Sequence, residues 1–593
     1  MIASRSKAVA AIRAGLLLLG MTVAAAASAW AQVGQEPIPL LPPLETAPAS
    51  PAPATAPLLP APASEGPIVM GTLPDFDADS VGTLAPGAGG FPIALWEGVG
   101  RVTVEALMRR LPVRADSRAM HALTQRLILS AATPPLGEGS ESLLGLRVRT
   151  LIAMGEYGAA TDLLGVAPGS AKGPDAVRLE VERAFLEARS EDACRLVQAA
   201  SASAADVFWH KALIYCQAIA GQHDAAQLGL TLLTENGDDD ALFAALVARL
   251  LGAAPAGELT FEALEPLHFA LLQSAKVEVT EAMVEGFGPG LLAAVARSTS
   301  TPEAIALAAA ERAERHGLLG ADELARAYGR VSLTADERAQ AREAAEQDPG
   351  PRARALLFQV AAMQGTVVAR AEALAALWRH AEAAGVFAST ARASAPILSQ
   401  IAPGSALGWF AVDAASAALA SGDAERTRGW YEVARQQAAL TPEAARAFAR
   451  LWPLAVISGN VPLGMGEAMG QWWAGESDRR DAAEIGRLSL ALALLDALGY
   501  DVPESYWREL LSGPIRVTVS SPSAAAWHSL ADASANFRLG ETVLLALVVL
   551  GEDGPAGASE TVVSAVLSAL QAVGLESDAR ALAVEALLAS GKG

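Results

Sequence analysis

Apolar residues recur at helical spacing along most of the chain after Ser142, and this pattern predicts an all-α fold. One stripe contains Leu144, Val148 and Leu151, which are separated by four and three residues. Such spacing places the side chains on one face of a helix, where they can pack against a neighbour. Because similar stripes follow one another between short polar turns, the sequence predicts helix after helix joined by tight turns.

Helix boundaries are marked by residues with known terminal preferences. Thr-Pro pairs at Thr301 and Thr441 predict Thr at the N-cap and Pro at the first helical position, and Thr334 and Glu337 have capping-box spacing. Glycine favours the position just after a helix because it adopts positive φ without steric cost. We expect helix ends at Gly155, Gly221, Gly237 and Gly317.

A short motif recurs in the first part of the helical region. Residues 155–160 read GEYGAA and residues 221–226 read GQHDAA, while Arg189–Cys194 aligns between them without the glycine. The starts at 155, 189 and 221 are 34 and 32 residues apart. This period and the Gly, aromatic and small-residue pattern resemble the tetratricopeptide repeat. The resemblance covers about 100 residues and implies a solenoid of helical hairpins.

Alanine-rich hairpins of this kind bury too little surface alone, so stacking on neighbours is expected to stabilise them. The alternative is an irregular all-α bundle with chance hairpin spacing. The predicted organisation is a signal peptide (1–31), a disordered Pro/Ala-rich linker (32–66), an extended segment with capping helices (67–140), tetratricopeptide-like repeats (141–350), a Trp-rich helical region (351–512) and a C-terminal helical cap (513–593). We expect the extended segment to lie against the first helices.

The N-terminus has the pattern of a secretory signal peptide. An apolar run follows the basic residues Arg5, Lys7 and Arg13. A small-residue cleavage site comes after it at Ala29-Trp30-Ala31. Cleavage near Ala31 predicts a periplasmic or secreted protein whose mature chain has no transmembrane segment. The alternative, a retained membrane anchor, needs about 20 apolar residues, which is longer than this run.

Composition narrows the function classes. Of the 593 residues, 52% are hydrophobic, which argues against disorder for most of the chain. The net charge of −21 argues against a nucleic-acid-binding protein, because phosphates require a basic surface. The sequence contains two cysteines, Cys194 and Cys216, predicted on neighbouring antiparallel helices. They form a candidate disulfide in an oxidising compartment; the alternative is a pair of buried thiols.

Metal and cofactor signals are weak. Asp75, Asp77 and Asp79 alternate as in a calcium loop, but Ser80 and Pro86 occupy the positions that require Gly and Glu. An exposed acidic turn is therefore the better interpretation. The histidines are scattered singly, and no zinc, dinucleotide or nucleotide motif occurs, so no cofactor is predicted.

Tryptophan is concentrated in the second half of the chain. Eight of the eleven lie between 378 and 527: Trp378, Trp409, Trp430, Trp452, Trp472, Trp473, Trp507 and Trp527. They either fill gaps that alanine leaves in the core or line an aromatic groove. Because adjacent helical residues cannot both face one core, Trp472 and Trp473 are the candidate exposed pair, with Arg479 and Arg480 as nearby ligand-binding cations.

These features favour an exported, non-enzymatic scaffold or adaptor that binds another envelope protein. The extended surface of a helical solenoid suits protein binding, and the sequence contains no catalytic motif. The alternative is a cell-envelope protein that binds or cleaves glycan through the Trp-rich half.

Overall fold

The protein is described by a computed structural model that covers residues 77–169, 174–200, 206–253, 261, 264–460, 469–470, 472–474, 482–511 and 522–590. All of these residues belong to one compact unit, Pro74–Gly593. The predicted signal peptide, its cleavage site and the Pro/Ala-rich linker lie outside the described residues.

The described residues form α-helices and short 3-10 helices, without a β-strand among them. The α-helices of the first half are α1 (Arg101–Met108), α2 (Arg118–Leu129), α3 (Leu143–Ala153), α4 (Tyr157–Val166), α5 (Pro174–Leu186), α6 (Ser190–Ala200), α7 (Val207–Ile219), α8 (His223–Glu235), α9 (Ala241–Leu250), α10 (Pro266–Ser274), α11 (Glu281–Glu285), α12 (Pro289–Arg297), α13 (Glu303–Arg315), α14 (Ala321–Arg330), α15 (Ala335–Ala339) and α16 (Ala341–Gln347).

The helices of the second half continue the same hairpin pattern. They are α17 (Pro351–Met363), α18 (Val367–Ala383), α19 (Phe387–Leu398), α20 (Ala411–Ala420), α21 (Ala424–Ala438), α22 (Pro442–Ile457), α23 (Ala482–Ala497), α24 (Glu504–Leu511), α25 (Ala524–Ala535), α26 (Leu539–Leu550), α27 (Gly554–Gly557), α28 (Glu560–Ala572) and α29 (Glu576–Ala589). The predicted all-α fold of helical hairpins is confirmed.

The helix ends follow the predicted chemistry with one exception. Thr334 and Glu337 form the capping box of α15, and the Thr441 side chain caps α22, which begins at Pro442. The four expected glycines all have positive φ, between 75° and 90°. The exception is Thr301: α13 begins at Glu303 with Pro302 at its N-cap, one residue later than predicted.

Small residues let the helices of each repeat approach closely. Ala160, Ala193 and Ala226 each lie five residues after the positive-φ residue of their turn, which is Gly155, Ala188 or Gly221, and each is fully buried. The second repeat thus starts one residue earlier than the sequence alignment at Arg189 placed it. Gly155 has a φ of +84°, and a Cβ added there would lie 2.6 Å from the backbone nitrogen of Gly290. The first hairpin turn therefore packs directly against the start of α12, where no larger residue fits.

This contact belongs to a fold-back of the helical stack. Helix α10 packs along α5, and α12 contacts both α3 and α5. The chain therefore returns over its own first hairpins instead of continuing in one direction, which leaves a groove between the two layers.

The N-terminal segment contacts the first helices, as expected, but it also contacts the last ones. Helix α1 packs against α26, and α2 packs against α3 and α29. The Gly540 N–H donates to the Leu95 carbonyl (3.0 Å), and a Cβ at Gly540 would lie 2.5 Å from the Trp96 ring. The segment thus joins the beginning of the described chain to its end.

Residues 114–119, which we call the clasp, bind three separate parts of the molecule. Arg315 of α13 pairs with Asp116, and the Arg114 N–H donates to the Glu552 carboxylate (3.1 Å). The Glu585 carboxylate of α29 accepts hydrogen bonds from the Ser117 hydroxyl and from the Ala119 N–H, the latter at 2.8 Å. Glu585 therefore satisfies a backbone donor at the start of α2 from more than 450 residues away in sequence.

Within the described ranges, no helix combines the length and the apolar character that crossing a membrane requires.

Candidate functional site

The structure joins Cys194 of α6 to Cys216 of α7 by a disulfide, with a Cα–Cα distance of 5.5 Å. The helix assignment of both residues agrees with the sequence prediction. Cys216 is 4% exposed and belongs to the hydrophobic core, against which Cys194 packs. The bond therefore fastens two successive hairpins of the repeat region to each other.

The acidic run near the N-terminus forms a structural connection. Asp75 lies outside the described residues, and Asp77 caps the 3-10 helix Ala78–Ser80. Asp79 pairs with Arg101 (2.9 Å) and accepts a hydrogen bond from the Leu144 N–H (2.8 Å). Burial opposes ionisation of Asp79, but these bonds hold its pKa below the ordinary value. No group of potential metal ligands occurs in the part of the chain that the structure describes.

Trp472 and Trp473 are both buried, with 4% and 6% of their surfaces exposed. The expectation that this pair is exposed is not met, because the helical residues 472–474 lie between two partners. Trp472 stacks on Trp452 of α22 (5.2 Å between ring centres), whereas Trp473 stacks on Tyr506 of α24 (4.5 Å). Adjacent residues thus face two different packing surfaces.

The remaining tryptophans divide unequally between core and surface. Trp378, Trp430 and Trp452 are among the largest fully buried side chains, while Trp409 and Trp527 are 55% and 36% exposed. Arg479 and Arg480, the predicted cations, lie outside the described residues. Most of the tryptophans in the described ranges therefore fill the core.

A groove of about 830 Å³, which we call the repeat groove, lies between the folded-back layers. Its walls come from α3, α5 and the starts of α10 and α12, and its apolar part includes Val148, Ile152, Leu179 and Leu291. Helices α3 and α5 are the first helices of the first two hairpins, so the repeat period places them side by side in this wall. The groove is open along several helices and suits an extended or helical segment of another protein.

Charged groups of the repeat groove are held in place by their neighbours. Arg178 pairs with Glu182 and Asp206, each at 2.9 Å, and its guanidinium lies 4.4 Å from the centre of the Phe208 ring. Burial raises the pKa of Glu182, although Arg178 opposes this change. Burial also raises the pKa of the Tyr157 hydroxyl beside them. These groups give the apolar groove fixed polar positions.

A second cavity of about 490 Å³, which we call the clasp cavity, lies where the clasp meets α29. Its apolar wall includes Phe387, Leu419, Val584 and Leu588, with further walls from the ends of α18 and α22. Its polar lining consists of seven charged side chains and several polar ones; the charged ones are Asp116, Arg118, Arg315, Glu382, Arg392, Arg580 and Glu585.

The arginines of the clasp cavity already have acidic partners. Arg392 bonds both oxygens of the fully buried Glu314 (2.6 and 2.7 Å), and Arg118 also contacts Glu314 (3.3 Å). Arg315 pairs with Asp116, and Arg580 pairs with Glu576 at 2.7 Å. The four arginines therefore share three carboxylates, Glu314, Asp116 and Glu576, which neutralise most of the positive charge of the wall.

Sequence reasoning missed both cavities. The residues that line the clasp cavity come from helices that are hundreds of positions apart, and no local spacing connects Asp116 with Glu585. The repeat motif gives a partial signal for the repeat groove, because it defines which helix of each hairpin lies inside. It does not indicate the fold-back that brings α10 and α12 over α5.

No protein-family model, curated protein or solved structure matches this chain at a significant level.

Proposed function

We propose that this protein is an exported, non-enzymatic helical scaffold that binds a segment of another cell-envelope protein in the repeat groove. The groove carries the proposal: it is formed by the first two hairpins and the fold-back helices, its walls are mainly apolar, and the Arg178–Glu182 ion pair fixes two of its charged groups. Binding sites for protein segments have this combination of apolar contact area and oriented polar groups.

Two further features support the exported location. The N-terminal 31 residues have the pattern of a signal peptide. The Cys194–Cys216 disulfide suits an oxidising compartment such as the periplasm or the exterior, because cytosolic reductants keep most thiols reduced. The glycan-binding alternative relied on an exposed Trp472–Trp473 pair, and the burial of both residues removes that support.

A photo-crosslinking amino acid at position 153 tests the proposal in cells. Ala153 is exposed and lines the repeat groove, so a bound partner should form a discrete adduct that mass spectrometry identifies. The same amino acid at Gln227, which is exposed on α8 away from the groove, is the matched control.

The purified partner then gives a quantitative result. Ala153→Trp places a bulky side chain at the groove and should abolish binding, whereas Gln227→Trp should leave the affinity unchanged. The same adducts at both positions, an absence of adducts at 153, or equal binding by both Trp variants would overturn the proposal.

A further inference from the structure

Beside its apolar wall, the clasp cavity has two acidic side chains, Glu382 and Glu585, that form no salt bridge with a described residue. The Glu382 side chain is exposed and forms neither a hydrogen bond nor an ion pair with a described residue. Glu585 accepts hydrogen bonds from the neutral donors Ser117 and Ala119, and it has no salt-bridge partner among the described residues. The arginines, in contrast, have carboxylate partners.

Nearby charge adds to this imbalance. Asp413 on α20 reaches solvent, yet protein crowds around it, and this desolvation together with the negative charge of Glu382 raises its pKa to about 6. Burial also raises the pKa of Glu585, although Arg392 opposes this change. Burial is the main cause of both shifts, and a cation bound nearby would oppose them by favouring the ionised carboxylates.

Phe387, Leu419, Val584 and Leu588 give the same cavity an apolar surface. A ligand that satisfies all of these groups must carry apolar side chains together with a cation. Negatively charged or purely apolar segments would leave Glu382 and Glu585 without compensation, which is unfavourable in a partly desolvated site.

We propose that the clasp cavity is a second docking site, which takes an apolar peptide segment of the partner that carries lysine or arginine. This inference rests on the proposed scaffold function and adds the chemistry of the partner. Because the cavity is lined by Asp116 and Glu585, the bound segment would contact both sides of the junction between the clasp and α29.

A labelled synthetic peptide, acetyl-Leu-Lys-Leu-Leu-Lys-Leu-amide, tests this site by fluorescence anisotropy on the full mature chain. We expect it to bind, and we expect the analogue with glutamate in place of lysine not to bind. Glu382→Lys should weaken binding by about tenfold or more, since it places like charges together.

The control removes the effect of overall charge on an acidic protein. Glu372→Lys changes the net charge equally on the same helix, α18, but Glu372 does not line the cavity, so its affinity should stay near that of the wild type. Ala581→Trp fills the cavity from an exposed position and should abolish binding with unchanged circular dichroism. Equal weakening by both lysine variants, or binding of the acidic peptide, would overturn the inference.

Failure here is separable from failure of the scaffold function. If the lysine peptide does not bind while position 153 still yields a partner adduct, the clasp-cavity inference is wrong and the scaffold proposal stands. If position 153 yields no adduct, the scaffold proposal itself is wrong.

Discussion

Asp413 of α20 shows how desolvation and a nearby negative charge change the pKa of a single side chain. The carboxylate reaches solvent, but desolvation and Glu382 together raise its pKa to about 6 from an ordinary value of 3.8. Ionised Asp413 is therefore less favourable in the folded chain than in the unfolded one, and the native state tolerates this cost at neutral pH.

Asp413→Asn should reveal that cost as a pH-dependent gain in stability. Well below the ordinary pKa of 3.8 the carboxyl is protonated in both states, so it contributes no difference. As the pH rises from about 4 to 6, the unfolded chain ionises first, and the wild type loses stability relative to the variant. Urea denaturation at several pH values should show a stability gap that grows over this interval and is constant above it.

The matched control is Asp501→Asn, which removes one charge from an exposed position distant in sequence from Glu382. A gap between Asp413→Asn and wild type that is independent of pH would contradict the assignment.

The aromatic residues show the limit of sequence reasoning at this scale. The concentration of tryptophan in the second half correctly suggested gap filling, as the burial of Trp378, Trp430 and Trp452 shows. The prediction that Trp472 and Trp473 are exposed was wrong. Each of the two side chains packs against a different neighbour, so both are buried. Whether a helix has one partner or two depends on tertiary packing, which helical spacing does not encode.

At the scale of the element, the three repeat turns share one backbone conformation. Gly155 and Gly221 follow α3 and α7 with φ of 84° and 75°, and Ala188 takes the equivalent place after α5 with φ of 56°. The motif at Arg189–Cys194 lacks the glycine, yet the turn forms in the same way. The turns at Gly155 and Gly221 were thus predictable from their glycines. The turn at Ala188 was not marked in this way, because alanine bears a steric cost in this conformation.

Ala188→Gly should therefore stabilise the protein. Glycine removes the cost of the left-handed conformation, part of which is offset by the greater entropy of the unfolded chain, leaving a gain of roughly 0.5–1 kcal/mol. Thermal and urea denaturation measure it. As a control, Ala159→Gly on α4 should lower stability, because the residue is helical. A destabilised Ala188→Gly variant would contradict the turn geometry.

The disulfide between α6 and α7 should contribute more than any single turn. It closes a loop with a sequence separation of 22, for which loop entropy gives about 3 kcal/mol. Reduction should lower the denaturation midpoint and increase amide hydrogen exchange chiefly in α6 and α7, because neighbouring repeats share stability locally. The Cys194→Ser/Cys216→Ser double variant should have the denaturation midpoint of the reduced wild type, and reductant should not change it. Unchanged stability after verified reduction would refute this contribution.

At the scale of the whole molecule, contacts between the N-terminal segment and the C-terminal region distinguish this chain from a simple open solenoid. Open solenoids unfold in parts because each repeat contacts only its neighbours. Here Glu585, Asp578 and Glu552 of the C-terminal region bind the N-terminal segment across sequence separations of 438 to 468 residues. No periodicity could predict these contacts, because they join unrelated positions through single polar groups.

Opening the clasp should therefore uncouple the two ends. In Glu585→Ala, the Ser117 hydroxyl and the Ala119 N–H lose their acceptor, which costs about 1–3 kcal/mol at the junction. Hydrogen exchange should rise in α2 and α29 first, while α17 to α21 stay protected.

Asp578→Asn, which weakens the Arg126 pair (2.9 Å), should produce a milder increase in the same helices. The control is Glu504→Ala, which removes a surface ion pair whose carboxylate is 71% exposed. It should leave hydrogen exchange in α2 and α29 unchanged. If exchange rose uniformly along the chain, or if only α29 responded and α2 did not, the clasp would not be the connection that holds the two ends together.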